Sequence, residues 1–145
     1  MANYLHGLQT YQQNRIVTAD PGTILLALYQ GAIDFLRRAK VGMETGDVVE
    51  KGLCIQKTLA ILSEFQTSLD FEAGGEVAKN LDDLYAYMVD QITTANMSDD
   101  PKPLDNVMSL LKTLQEGWQG AVATERKRTA RAEGYGDRVD VSARA

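Results

Sequence analysis

This sequence predicts an all-α protein: an antiparallel up-down four-helix bundle with a short N-terminal helical arm and a flexible C-terminal tail. Three observations predict it. Four long segments carry apolar residues at alternating spacings of three and four, the signature of one buried helix face. Short breaks rich in glycine, proline and acids separate them. The apolar seams run close to a heptad pattern, which suits the shallow crossing angles of a bundle. At 145 residues and 44% hydrophobic content the chain can fill one core, so a single domain over residues 1–125 is expected, with 126–145 as a basic tail.

Residues 1–17 hold Tyr4, Leu8 and Tyr11 on one face of a short helix. So short a helix is marginal alone and must dock to be ordered. It reads either as a frayed terminus or as a detachable arm covering an apolar groove. Thr18-Ala19-Asp20-Pro21 starts the first long helix: Thr18 or Asp20 can cap, and proline suits the first turn. Its main stripe is Leu25, Leu28, Ala32, Phe35 and Ala39, widened by Ile24, Tyr29, Ile33, Leu36 and Met43. Gly42 and Gly46 weaken its end. Asp47 caps the second helix, and Glu50 completes a capping box. Ile55, Leu59, Leu62, Phe65 and Leu69 form its seam, with Val49, Leu53 and Ile61 beside it, and it ends near Phe71. The third helix follows Gly74-Gly75, with Glu76 in its first turn. Val77, Leu81, Leu84, Met88, Ile92 and Ala95 form its stripe, and Asn96 is its stop. Ser98 to Pro103 is a loop. Leu104, Val107, Leu111, Leu114, Trp118 and Val122 seam the fourth helix, which contains Gly117 and Gly120. Past Ala123 the apolar period disappears, and helix fraying into a solvated tail is expected.

Composition excludes several functions. The net charge of −5 disfavours binding to phosphate backbones, so no nucleic-acid partner is expected. No apolar run reaches the ~20 residues that span a bilayer, and the N-terminus lacks a secretion-signal layout. One cysteine, Cys54, cannot form an intramolecular disulfide, which fits a reducing, cytoplasmic setting. It reads as a buried inert thiol. His6 is the only histidine, too few for a di-iron bundle and misplaced for phosphotransfer. No metal, cofactor or catalytic constellation is expected, and the chain does not read as an enzyme. The secondary stripes of the first two helices instead exceed the roughly three core positions per heptad that a bundle needs. Such surplus marks a partner site, or a second layer beneath the N-terminal arm, or both if the arm covers the patch until a partner takes its place.

An ordered set of segments resembles the FliS family of flagellin-specific export chaperones over roughly residues 4–122. These are Tyr11-Gln12-Gln13-Asn14, Thr18-Ala19-Asp20-Pro21, Leu28-Tyr29-Gln30-Gly31-Ala32-Ile33, Gly74 to Leu81, Leu84-Tyr85-Ala86-Tyr87-Met88, Ala95-Asn96 and Trp118. Gln30 stands where an acid is commoner. The resemblance implies binding to the disordered C-terminal segment of flagellin and delivery to a flagellar type III export gate component. It implies no cofactor, and a monomer or weak dimer is expected. Ile24, Leu28, Tyr29, Leu53, Ile61, Tyr85 and Tyr87 are then the expected client-groove residues, with Tyr4, Leu8 and Tyr11 as the covering arm. The alternative is a helical oligomerisation protein that buries the same stripes against its own copies.

Overall fold

The structure, a computed structural model, describes residues 20–144, with side chains described for 20–134. Four helices occupy them: α1 (Pro21–Thr45), α2 (Val48–Thr67), α3 (Phe71–Ser98) and α4 (Lys102–Arg144). Each helix packs on two neighbours, α1 on α2 and α4, and α3 on α2 and α4, which closes the antiparallel bundle. The expected arm residues Tyr4, Leu8 and Tyr11 lie outside the described residues.

Local chemistry sets the helix ends. Asp20 caps α1 by accepting from the Thr23 N–H at 2.8 Å, with Pro21 in the first turn. Gly46, at φ 74°, takes the left-handed conformation that ends α1, and the Asp47 N–H then reaches the Gly42 carbonyl at 2.9 Å. Asp47 caps α2 through the Glu50 N–H at 3.1 Å. The Glu50 carboxylate does not return the bond of a capping box; it is held by Arg38 at 2.9 Å instead. Asp99 closes α3 in the left-handed region at φ 52°. Lys51 of α2 supports it, donating to the Asp99 carboxylate at 2.7 Å and to the Asn96 carbonyl at 3.3 Å.

Four boundaries differ from expectation. α2 stops at Thr67 rather than near Phe71, because Asp70 accepts from the Glu72 and Ala73 N–H groups and starts a new turn at Phe71. Gly75 then breaks this turn from the rest of α3, with φ 51° and ψ −126°, a conformation that a Cβ disfavours. Glu76 thus follows a kink inside α3 rather than opening the helix. α3 itself runs two residues past Asn96, to Ser98. The fourth difference is α4, whose helical backbone does not end near Ala123 but continues to Arg144. No proline interrupts it, and alanine and arginine, good helix formers, recur from Ala123 to Ala132.

Ion pairs mark the register of α4 on α1. Lys40 meets Asp105 at 2.9 Å near one end, and Arg126 meets Asp20 at 3.1 Å at the other. α1 therefore spans only the part of α4 between these residues. The remainder, to Arg144, projects beyond the start of α1 by roughly 27 Å at 1.5 Å per residue.

Helix rotation decides which stripe is core. On α1 the buried side is Tyr29, Ala32, Ile33, Leu36, Ala39 and Met43, while Leu25, Leu28 and Phe35 of the expected main stripe are only partly buried. On α2 Ile61 joins Ile55, Leu62 and Phe65 inside. On α3 Tyr85 and Ala78 are buried, and Val77 is 66% exposed. The seam of α4 follows expectation at Leu104, Val107 and Leu111.

Candidate functional site

Four aromatic side chains, one from each helix, meet in the core. Tyr29 of α1 stacks on Phe65 of α2 with centroids 4.5 Å apart, and Phe65 lies 5.5 Å from Tyr85 of α3. The Tyr29 and Tyr85 hydroxyls hydrogen-bond at 2.5 Å, and Trp118 of α4 donates its indole N–H to the Tyr29 hydroxyl at 3.0 Å. Every polar atom of this node thus has a partner, as burial requires. Burial pushes both phenols above their ordinary range. For Tyr85 the bond to Tyr29 pushes the same way, whereas the bonds from Tyr85 and Trp118 pull Tyr29 back down. Both stay protonated at neutral pH, so the node supplies structure rather than acid–base chemistry.

This corrects part of the expected groove. Tyr29, Ile61 and Tyr85 are 0%, 1% and 2% exposed, so in this fold they are core side chains with no face for a guest. The cause is helix rotation: two adjacent apolar tracks compete for the interior, and the wider aromatic track takes it. Ile24 and Leu28 are partly buried. Leu53 and Tyr87 keep solvent access at 44% and 47%.

Leu53 belongs to a wider apolar edge. Val49 lies one turn before it on α2 at 80% exposure, and Lys57 one turn after it. Lys57 and Arg38 place their cations 5.2 Å and 5.8 Å from the ring of Phe35 on α1. The α1–α2 edge is therefore an apolar strip with basic neighbours. Val41, Val48, Phe71, Val77 and Met97 are also exposed. Sequence reasoning placed Val77 and Phe71 inside helices or at their ends and did not single out the others. A lone exposed valine or methionine leaves no periodic signal.

The remaining reactive groups are quiet. Cys54 is buried and its thiol donates to Glu50 at 3.4 Å; burial first, then that carboxylate, raise its pKa. Among the described residues no group of histidine, cysteine and acids is placed to hold a metal. No helix among them is long and apolar enough to cross a membrane. Gln30 accepts from the buried Gln115 of α4 at 3.0 Å and donates to Asp34 at 3.0 Å. An amide can do both, which an ionised acid at this position could not.

Residues 4–125 match the model of the flagellar protein FliS. The chain belongs to the FliS family. Flagellar secretion chaperone FliSB of Pseudomonas aeruginosa is 37% identical over 80% of this chain and 95% of its own. Flagellar secretion chaperone FliS of Vibrio cholerae is 37% identical over 77% of this chain and 85% of its own, and FliS of Salmonella typhimurium is 35% identical over 78% and 87%. A crystal structure of a flagellar chaperone from bacteria shares the fold, with a TM-score of 0.68 at 23% identity, covering 83% of this chain and 98% of that one. The FliS match takes in the whole aromatic node and the α1–α2 edge. It stops one residue before Arg126, while α4 continues.

Proposed function

We propose that this chain is a non-enzymatic flagellar secretion chaperone of the bacterial cytoplasm. It binds the disordered C-terminal region of flagellin, prevents its premature assembly and presents it to the type III export gate. Membership of the FliS family over residues 4–125 carries the reading. The physical support is accessible apolar surface on a rigid bundle. A segment that orders only on contact gives up conformational entropy, so it needs a long apolar track rather than one pocket. Leu53 and Val49 with Ile24 and Leu28 on the α1–α2 side, and Tyr87 on α3, are the proposed contacts. Tyr4, Leu8 and Tyr11 would cover such surface until a client displaces them. The core node of Tyr29, Tyr85 and Trp118 keeps the helices rigid beneath it.

The test is binding of flagellin with and without its C-terminal segment. Binding is expected to vanish on truncation; equal capture of the truncated client would overturn the mode. Leu53→Asp and Tyr87→Ala should each weaken client binding by about tenfold, in the range of interface anchor residues, with stability unchanged within about 0.5 kcal/mol. A stable oligomer in sedimentation, dissociated by Leu53→Asp, would instead assign the exposed strip to contacts between copies.

A further inference from the structure

Tyr87 stands on a second apolar track, along the outer side of α3 and α4. Contacts to the other helices fix which side that is. On α3, Asp82 accepts from Gln66 of α2 at 3.4 Å, so α2 lies on the Asp82 side and α4 on the other. Val77, Leu84 and Tyr87 fall on the side of α4, roughly 140–160° around the helix from Asp82 at about 100° per residue. On α4, Asp105 meets Lys40 and Gln115 meets Gln30, both of α1. Leu110 and Leu114 turn the other way, toward α3. The three leucines are partly buried, while Val77 and Tyr87 are 66% and 47% exposed. Acids border this track. Glu76, Asp83 and Asp90 recur every seven residues along α3, all exposed, and Tyr87 lies one turn from both Asp83 and Asp90. Among the described residues none of the three is ion-paired. One cation of α3, Lys79, lies on the far side of that row. On α4, Lys112 and Glu116 share the face of Asp105, away from the track.

We propose that the α3–α4 track takes an amphipathic helix whose apolar stripe is bordered by lysine or arginine. This rests on the client reading above: the helix is a part of the flagellin segment that orders on contact. The apolar stripe would cover Val77, Leu84, Tyr87, Leu110 and Leu114, which supplies affinity. The cationic border would meet Glu76, Asp83 and Asp90, which supplies register and rejects an acidic helix. Tyr87 suits the middle of such a contact, with an apolar ring against the stripe and a hydroxyl at the charged rim. The α1–α2 edge has the opposite character, because Arg38 and Lys57 border Phe35 there. A client that lays helices on both flanks is therefore seated in one order only, its basic-bordered helix on α3–α4.

The experiment titrates the full-length chain with fluorescent synthetic helices in an anisotropy assay. One carries a leucine stripe bordered by lysine, and a control scatters the same residues so that no stripe forms. The striped helix should bind and the scattered one should not. Asp83→Lys combined with Asp90→Lys should weaken the striped helix on the order of tenfold, with circular dichroism unchanged because both positions are exposed. Gly117→Trp, placed in open space one turn after Leu114, should weaken it as well. Equal binding of the scattered control would reduce the effect to general attraction by an acidic protein and overturn the proposal. So would a self-association in sedimentation that the double reversal dissolves, which assigns the face to a second copy. Flagellin measured alongside separates the two readings. If flagellin binds while the striped helix ignores the reversal, this inference alone falls. If flagellin does not bind while the reversal still acts, the client reading falls and the charge preference of the track stands.

Discussion

At Tyr29 a single hydroxyl joins three helices, accepting from Trp118 and hydrogen-bonding to the Tyr85 hydroxyl. Tyr29→Ala should therefore cost about 3–5 kcal/mol in chemical denaturation, the range for buried aromatic deletions. Tyr85→Phe keeps the ring and should cost only about 0.5–1.5 kcal/mol, the net worth of one hydrogen bond. Asp20 tells a different story, because its carboxylate is exposed. Arg126 first, then the Thr23 N–H and hydroxyl, hold its pKa at about 2 against an ordinary 3.8. A carboxyl lowered on folding stabilises fully above its unfolded value. That contribution should fade as pH falls from about 3.8 to about 2 and be absent below. Arg126→Ala should move the Asp20 titration back toward the ordinary value without fully restoring it, since Thr23 still donates. Carboxyl-carbon NMR across that window measures it.

Helices are where glycines separate into kinds. A Cβ at Gly42 would meet the Asp47 carbonyl oxygen and the Lys51 nitrogen at 3.0 Å, both backbone atoms that hold the α1–α2 turn. Gly42→Ala should destabilise by about 1–3 kcal/mol, as overpacking does. A Cβ at Gly117 meets nothing within 4 Å, so no close backbone approach explains that glycine. Gly117→Ala should instead stabilise by about 0.5–1 kcal/mol, chiefly by restricting the unfolded chain. Thermal melts of the pair should move in opposite directions. Sequence alone treats both as glycines in apolar-periodic helices. Only the distance to a neighbouring backbone tells them apart.

Across the whole molecule, the four-helix fold was legible because four periodic segments with breaks between them admit few other packings. Asp20 and Asp47 capped where local chemistry put them. The end of α2 was misread because Asp70 competes with the helix for the same backbone donors, a contest that periodicity does not register. The candidate site was less legible. α1 carries two apolar tracks about 100° apart, and either would give an amphipathic helix. Which one faces inward depends on the neighbours, and here the aromatic node draws Tyr29 and Tyr85 into the core and leaves Leu53 and Tyr87 outside. The Asp20–Arg126 fork, closed across 106 residues, leaves no local trace at all. By itself the sequence determined the helices and their number, since spacing and caps act over a few residues. The rotation of each helix and the identity of the exposed apolar side chains were decided by tertiary structure. They depend on the balance of burial between surfaces that the chain brings together only when it folds.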